Sequence, residues 1–248
     1  MAMRANEYPG VNRYTCKRVP SARLLRQETI VTIKNKAYAT EIMAQRWLSK
    51  KTFEIRLRRP ESFNFKPGQR ISLRYKGIER DYSLASSPDE THLALCIRYI
   101  KEGGLSRLLG DATEGTRINF YGPHGYFGFN YSQRPSVLVA TGTGIAPFRS
   151  MVCSGVAPEL ILHGVETSAE LYYADELMSA KNNYVACLSQ SNNSKIHYNG
   201  RVTDYIQDRL PRGIYDFYLC GRREMIRDVT LLIDERFEGS LVYTETFY

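Results

Sequence analysis

The amino-acid sequence predicts two domains in series, an antiparallel β-barrel followed by an α/β domain built on a parallel sheet. Two observations lead to this prediction: short strand-like segments separated by turns fill residues 36–133, and strands alternate with helices from Pro135 onwards. The pattern changes within the segment YSQRP, where Pro135 precedes the first strand of the second kind. We therefore expect a basic N-terminal extension at residues 1–35, the barrel at 36–133 and the α/β domain at 134–248.

The barrel is predicted from segments that alternate or bury apolar residues, namely ATEIMAQRWLS, TFEIRLRRP, QRISLRY, RDYSLASS and LALCIRYI. The turn sequences KPGQ, SSPDE and KEGG separate them. One helix, GLSRLLGDA, is expected directly after a Gly-Gly pair. Short strands with so few helices are typical of a small antiparallel barrel.

The α/β domain is predicted from the apolar strands SVLVA, LILHGVE, YVACLSQ, YDFYLCG and SLVYTETF. Strands of this kind are buried on both faces of a parallel sheet. The helical segments FRSMVCSG, SAELYYADELMSA, RVTDYIQDRL and REMIRDVTLLIDERF fall between them. This alternation indicates βαβ units with helices on each face of the sheet.

Composition and charge limit the possible functions. No apolar run approaches the ~20 residues of a membrane helix, and the N-terminus lacks the apolar core of a signal peptide. Five scattered cysteines without a C-x-x-C pair predict reduced thiols in a cytoplasm and no metal site. Residues 1–36 contribute +6 of the net charge of +8. Such an arm could bind nucleic acid, dock on an acidic partner or simply be solvated; because no nucleic-acid motif accompanies it, we expect no nucleic-acid partner.

The stretch RDYSLASSP combines a cation, a flat ring and a hydroxyl group. In a strand, Arg80 and Tyr82 share a face and Ser83 points the other way or follows a bend. This set suits a ligand that is anionic at one end and aromatic at the other, such as a flavin nucleotide. The alternative is an ordinary strand with an exposed Arg and a packed Tyr.

Four further motifs carry chemistry. TGTGIAP lies between a buried strand and a helix, where backbone N–H groups can hold a pyrophosphate, although a plain tight turn is the alternative. In GGLSRLL, Ser106 either caps a helix or binds a phosphate. In YLCGRREM, Cys220 ends a strand at the same sheet edge as TGTGIAP and is either a functional thiol or a packing residue. The ending TETFY suggests a tethered aromatic tail, or a frayed terminus.

The order of these motifs resembles that of the ferredoxin–NADP⁺ reductase family, which includes the flavin-dependent reductase modules of oxygenase systems. RDYS is similar to the R-x-Y-S flavin motif of that family, and CIRYI…GGLSRLL to its second flavin motif. GTGIAP and CGRREM are similar to its nicotinamide-nucleotide motifs, and the resemblance spans about residues 38–248. It implies a flavin-binding barrel, a nucleotide-binding α/β domain and a flavoprotein that takes hydride from NAD(P)H onto FAD.

The resemblance assigns flavin contacts to the barrel and the C-terminus. It implies that Arg80 pairs with the pyrophosphate, Tyr82 packs on the isoalloxazine and Ser83 hydrogen-bonds flavin N5. An Arg suits this role because it stays charged and binds phosphate with a forked geometry. The remaining flavin contacts implied are Ile97, Arg98, Gly103, Gly104, Leu105 and Ser106, with Phe247 or Tyr248 as the stacking ring, of which Phe247 is favoured by alignment from Glu245.

The resemblance also assigns the nicotinamide side. It places Cys220 beside the nicotinamide ring and gives Glu245 a role in proton and electron transfer, so that Ser83, Cys220 and Glu245 are the expected catalytic residues. The residues expected to hold the nucleotide are Thr141, Gly142, Thr143, Gly144, Ile145, Ala146, Pro147, Gly221 and Arg222.

One departure from the family pattern bears on nucleotide specificity. Relatives often carry Ser-Arg where this chain has Ser189-Gln190, which removes one cation that would bind the 2′-phosphate of NADP. Lys195, Tyr198 and Arg201 follow and could compensate, and no Asp or Glu intervenes, so we expect NADPH to be preferred over NADH. The basic extension lies outside the family core.

The expected electron acceptor is a separate one-electron protein with an acidic surface, such as a ferredoxin, a flavodoxin or an oxygenase component, because the sequence encodes no ferredoxin-type cluster. Two alternatives remain. One is a free-flavin or ferric reductase, and the other is a nucleotide-sensing subunit that holds flavin without turnover.

Overall fold

The computed structural model describes residues 36–179, 183–190 and 198–247. The predicted extension, Lys195 and Tyr248 lie outside the described residues. The described residues form one antiparallel sheet followed by one parallel sheet, which confirms the predicted fold class. Within the described part of the chain, no helix is both long enough and apolar enough to cross a membrane.

The barrel is a six-stranded antiparallel sheet with the strand order β4-β3-β6-β1-β2-β5. A bridge between Leu84 and Leu95 joins the β4 edge to the β5 edge. A short helix, α1 (Leu105–Gly110), lies between β5 and β6. The strands are β1 (Ala37–Ser49), β2 (Thr52–Arg58), β3 (Arg70–Tyr75), β4 (Ile78–Ser83), β5 (His92–Arg98) and β6 (Arg117–His124).

Sequence analysis missed strand β6, although β6 pairs with both β1 and β3 and so holds the two halves of the barrel together. Its signal is short because only Ile118 and Phe120 are buried along the strand. The Gly122-Pro123 pair then has the sequence of a turn rather than a strand. Phe120 is fully buried and packs edge-to-face on Phe63 with 5.0 Å between ring centroids.

The α/β domain is a six-stranded parallel sheet with the order β10-β9-β8-β7-β11-β12. The order reverses between β7 and β11, and ligands bind at such a switch point, beyond the carboxyl ends of the strands. The strands are β7 (Ser136–Thr141), β8 (Leu160–Val165), β9 (Tyr184–Leu188), β10 (Tyr198–Asn199), β11 (Asp216–Arg222) and β12 (Leu241–Phe247). The helices are α2 (Ile145–Cys153), α3 (Ala174–Ser179), α4 (Val202–Arg209) and α5 (Arg223–Arg236).

The segment predicted as one helix from Ser168 is interrupted. A single 3₁₀ turn, Ser168–Glu170, precedes α3, and Tyr173 between them adopts a left-handed φ of 59°. The interruption turns two tyrosines towards the barrel. The Tyr172 hydroxyl lies 2.7 Å from Thr52 Oγ1, and the Tyr173 hydroxyl donates to the buried Glu54 carboxylate at 2.9 Å.

A buried arginine forms the other main contact between the domains. Arg149 on α2 is 7% exposed, and its Nη1 donates to the carbonyl of Ala85 at 2.7 Å and to Glu90 at 3.0 Å, both in the barrel. Its Nε donates to Glu176 on α3 at 2.8 Å. One guanidinium therefore fixes a barrel loop and two segments of the α/β domain in one arrangement.

A buried histidine supports the turn that follows β7. His163 on β8 is fully buried, with Nδ1 2.9 Å from the Tyr184 hydroxyl and Nε2 3.0 Å from the carbonyl oxygen of Gly142. A carbonyl can only accept, so Nε2 carries the proton and Nδ1 accepts from Tyr184. Burial lowers the pKa of His163 from 6.5 to about 4.

We predict that His163 makes the protein less stable in mild acid. As the pH falls from 6.5 to 4, the unfolded chain takes up a proton on this imidazole and the folded chain does not, so the free energy of unfolding decreases by up to about 3 kcal/mol. In His163→Gln, urea unfolding should show a smaller decrease over this window. Tyr184→Phe retains the buried imidazole and loses only one hydrogen bond to it, so it should keep most of the wild-type slope. Equal slopes for wild type and His163→Gln would contradict the prediction.

Candidate functional site

A cleft of about 1380 Å³ separates the barrel from the carboxyl ends of the parallel strands. This volume exceeds the roughly 300–1,000 Å³ of a typical small-ligand site. The predicted residues that line it from the barrel are Arg80, Tyr82, Ser83, Arg98, Gly103, Gly104, Leu105 and Ser106. Those that line it from the α/β domain are Thr141, Gly142, Thr143, Ala146, Ser189, Arg201, Gly221, Arg222, Glu245 and Phe247.

Five predicted site residues are packed inside the protein and do not line the cleft: Ile97, Gly144, Ile145, Pro147 and Cys220. Ile97 lies in the barrel core, and Ile145 and Cys220 lie in the core beneath α2. The Cys220 thiol is fully buried, and burial raises its pKa well above 9. A thiolate is therefore disfavoured at Cys220, and its predicted role by the nicotinamide stays a prediction.

The end of β4 presents the three groups that the sequence singled out. Arg80 is exposed, and in the described part of the chain it forms no ion pair and donates to the carbonyl of Glu79 at 2.7 Å. Tyr82 is half-buried, and burial raises the pKa of its phenol to about 12, so the ring stays neutral. Ser83 is 5% exposed, and its Oγ has no hydrogen-bond partner among the described residues.

The unpaired hydroxyl of Ser83 is the observation that tests whether a flavin fits here. A buried polar group without a partner costs roughly 1–3 kcal/mol, so native structures rarely leave one unexplained. Ser83 lines the cleft, and a polar atom of a ligand in the cleft would complete its hydrogen bond. Arg80 lies on the same strand and has no ion-pair partner among the described residues, so its charge can bind an anion. An anionic ligand with a polar, flat end therefore fits this wall.

The start of α1 is compact rather than capped. A Cβ on Gly103 would lie 2.8 Å from Ile100 Cβ and 2.9 Å from Ser106 Oγ, so the turn leaves no room for a side chain. The helix has no side-chain cap, and Ser106 Oγ instead accepts the amide N–H of Ile100 at 3.3 Å. The expected capping role of Ser106 is therefore not what the structure shows.

Two glycines allow the chain to pack closely where β7 and β11 meet at the switch point of the sheet. A Cβ on Gly144 would lie 2.2 Å from the carbonyl oxygen of Cys220, and one on Gly221 would lie 2.2 Å from Thr141 Oγ1. Thr141 Oγ1 accepts the amide N–H of Arg222 at 3.1 Å. Gly142 differs, since its φ is +54° and a Cβ at this position would have no described atom within 4 Å. Gly142 is therefore the glycine that leaves open space for a ligand.

The wall of the cleft that the α/β domain forms contains an acid, Glu166, that the sequence motifs did not reveal. Glu166 follows β8 and lines the cleft beside Ser189, and its carbonyl accepts the amide N–H of Gln190 at 2.9 Å. Its carboxylate lies 3.6 Å from Lys51 Nζ. Arg201 lines the same cleft and is exposed, so a cation and an acid both lie on this wall. Because Glu166 comes from another strand, inspection of residues 189–201 could not reveal it.

The C-terminal strand brings Glu245 into contact with the barrel. Arg70 Nη1 donates to Glu245 Oε1 at 2.8 Å, and Arg70 Nε donates to Asp81 at 3.0 Å. Burial raises the pKa of Glu245, and Arg70 opposes that shift. Phe247, two residues later, is partly buried and packs against the same core as Cys220. No signal in the strand QRISLRY marks Arg70 as a site residue.

Two family models match the chain. The Oxidoreductase FAD-binding domain matches residues 40–129 and the Oxidoreductase NAD-binding domain matches residues 138–230. The matches fall on the barrel and on the parallel sheet respectively. The predicted boundaries at 36–133 and 134–248 remain predictions.

Curated relatives are longer than the chain. The toluate 1,2-dioxygenase electron transfer component of Pseudomonas putida is 30% identical over 233 residues, which cover 87% of this chain and 67% of that protein. Protein RfbI of Salmonella typhimurium is 31% identical over 192 residues, which cover 69% of this chain and 56% of that protein. The chain thus spans about half to two thirds of the length of these relatives.

A solved structure shares the fold. It is a ferredoxin NADP⁺ reductase from Neisseria gonorrhoeae with bound FAD and NADP, with a TM-score of 0.74 and 23% identity, covering 86% of this chain and 99% of that one. The paired FAD-binding and NAD-binding domains, the motifs that line their shared cleft and the relatives agree. The chain belongs to the ferredoxin–NADP⁺ reductase family of FAD- and NAD(P)-binding oxidoreductases.

Proposed function

We propose that the chain is a flavoprotein reductase that takes hydride from NAD(P)H onto FAD and passes single electrons to a separate protein. The observation that carries this proposal is the cleft itself, in which the flavin motif of β4 and the Gly-rich turn after β7 face one space. The P. putida relative, whose name describes an electron transfer component of a dioxygenase, supports electron transfer to a separate protein.

Bound flavin would supply both the hydride acceptor and the one-electron donor, which no amino-acid side chain provides. The chain's own residues bind and orient. Arg80 would neutralise the pyrophosphate with charge-assisted hydrogen bonds, and Tyr82 would cover a flat ring face. The unpaired Ser83 hydroxyl would hydrogen-bond a polar edge. Glu245 would supply a fixed charge near the reacting atoms.

The choice between NADPH and NADH would depend on the charges of the α/β wall of the cleft, where Glu166 is opposed by Arg201 and by Arg222, whose Nη2 lies 3.9 Å from the Glu166 carboxylate. Arg201 favours a 2′-phosphate, and Glu166 favours the hydroxyl groups of an unphosphorylated ribose. The expected preference for NADPH stays a prediction, which steady-state kcat/KM values for both nucleotides would test. A Glu166→Gln variant should increase the NADPH to NADH ratio, since it removes the repulsion.

The function is tested by the visible spectrum of the purified full chain. We expect flavin absorption near one equivalent per chain, and bleaching of that absorption when NADPH or NADH is added without oxygen. Addition of a one-electron acceptor should then restore it. Flavin that never bleaches would support a sensing subunit, and a chain that reduces free flavin but retains none would support a free-flavin or ferric reductase.

We predict that Arg80→Ala loses most of its bound flavin. A charge-assisted hydrogen bond contributes roughly 1.5–3 kcal/mol, so flavin affinity should fall about tenfold or more. Arg74→Ala is the matched control, because Arg74 lies on the neighbouring strand β3, is exposed and does not line the cleft. Flavin content after gel filtration measures the effect, and equal retention by both variants would refute the role of Arg80.

We further propose that the acceptor is a ferredoxin, a flavodoxin or an oxygenase component with an acidic surface, docked with help from the basic extension. Residues 1–36 carry +6, and exposed charges steer association at low ionic strength. Deleting residues 1–30 should slow reduction of the acceptor at low salt while leaving NAD(P)H–ferricyanide activity intact. If the deletion leaves the salt dependence of acceptor reduction unchanged, the basic extension does not help the acceptor to dock.

We also place the protein in a reducing cytoplasm. The four cysteines in the described part of the chain, Cys96, Cys153, Cys187 and Cys220, are free thiols, which supports this location. Cell fractionation tests it.

A further inference from the structure

Arg70 joins three strands at the end of the cleft. It begins β3, where its Cα is paired with Ser83 of β4 on one side and with His124 of β6 on the other. Its guanidinium then reaches Glu245 on β12, 175 positions away in sequence. The same side chain donates to Asp81 on β4. One residue of the barrel therefore holds the last strand of the α/β domain.

The guanidinium of Arg70 has a defined place. A Cβ on Gly125 would lie only 3.0 Å from Arg70 Nη1, so the absence of a side chain at Gly125 leaves the space that the guanidinium fills. The other oxygen of the Asp81 carboxylate accepts a hydrogen bond from Ser72 Oγ at 2.5 Å. Asp81 is thereby fixed by Ser72, and it in turn orients Arg70 towards Glu245.

Glu245 needs this partner because it has little contact with water. Its side chain is 14% exposed, and an ionised carboxylate is costly to bury without a partner. The titratable and charged groups around it are Arg70 from β3, Asp81 from β4 and Cys220 from β11, with His124 of β6 beyond Arg70. Asp81 and burial both favour the protonated acid, and Arg70 favours the carboxylate.

We propose that Arg70 is a positioning residue of the reaction, which holds the Glu245 carboxylate ionised and fixed at the end of the cleft. The proposal rests on the proposed function, in which hydride leaves the nicotinamide ring and the ring becomes a cation. A fixed anion stabilises positive charge that develops in such a site. Without Arg70, Glu245 takes up a proton at higher pH and no longer provides that charge.

The first experiment measures flavin reduction by NADPH in stopped flow from pH 5 to 9. The variants are Arg70→Gln, Arg70→Lys, Glu245→Gln, Arg70→Gln/Glu245→Gln and the control Arg74→Gln. We expect Arg70→Gln to lower the rate about tenfold at pH 6, which corresponds to about 1.4 kcal/mol. The acid limb of its pH–rate profile should shift to higher pH. Arg70→Lys should recover most of the rate, and Arg74→Gln should match wild type.

The double variant decides how Arg70 acts. If Arg70 acts through Glu245, then Arg70→Gln has no further effect on the rate once Glu245 is Gln. The proposal is overturned if Arg70→Gln lowers the rate by the same factor in both backgrounds, or if its pH profile keeps the wild-type shape.

The second experiment needs no turnover. Urea unfolding of wild type, the two single variants and the double variant at pH 7 gives a double-mutant cycle. We expect the effects of the two substitutions on the unfolding equilibrium constant to be coupled by about fivefold or more. Independent effects would show that Arg70 and Glu245 do not stabilise each other, and would overturn the proposal. If wild type never reduces flavin, the proposed function fails, and the cycle still reports separately on the link between Arg70 and Glu245.

Discussion

The buried guanidinium of Arg149 is the interaction on which the site depends, because the cleft has one wall in each domain. A buried cation is stable only when its N–H groups are paired, and here Ala85, Glu90 and Glu176 together meet that requirement. Two of these partners belong to the barrel and one to α3. Any sliding of the domains would break at least one hydrogen bond to a buried charge, so the polar contact selects a single relative orientation.

The tyrosines after the 3₁₀ turn reinforce that orientation. Tyr172 and Tyr173 bind Thr52 and Glu54 of β2, and Glu54 also accepts hydrogen bonds from Arg46 and Arg56. Apolar contacts alone would tolerate small rotations, whereas hydrogen bonds lose strength steeply with distance and angle. The junction is thus built from directional contacts, and the groups on opposite walls of the cleft, including Ser83 and Glu245, keep a fixed separation.

Sequence patterns predicted the fold class because the signals for a barrel and for a parallel sheet are local. Alternation along β2 and the apolar run of β7 are each visible within a few residues. The missed strand β6 alternates over only four residues before Gly122. The interrupted helix at Tyr173 could not be predicted, since the hydroxyl partners that break it are more than a hundred residues away.

The same distinction separates the site residues. Arg80 and Gly142 could be proposed from sequence because each belongs to a short motif, RDYS or TGTGIAP, and both line the cleft. Arg70 and Glu166 act through partners on other strands, and no local pattern marks them. For Cys220, the sequence indicates a place near the end of β11, whereas only the packing around the residue reveals that its thiol is buried in the core.

The imidazole proton of His163 is shielded from water while the carbonyl of Gly142 covers Nε2. Exchange of that proton with deuterium therefore requires the turn at residues 142–144 to lift from the sheet, or the domain to unfold. A nucleotide bound by the turn would stabilise the closed arrangement and slow the exchange. Where this proton exchanges faster than the domain unfolds, its exchange rate reports how often the turn at residues 142–144 opens in the absence of turnover.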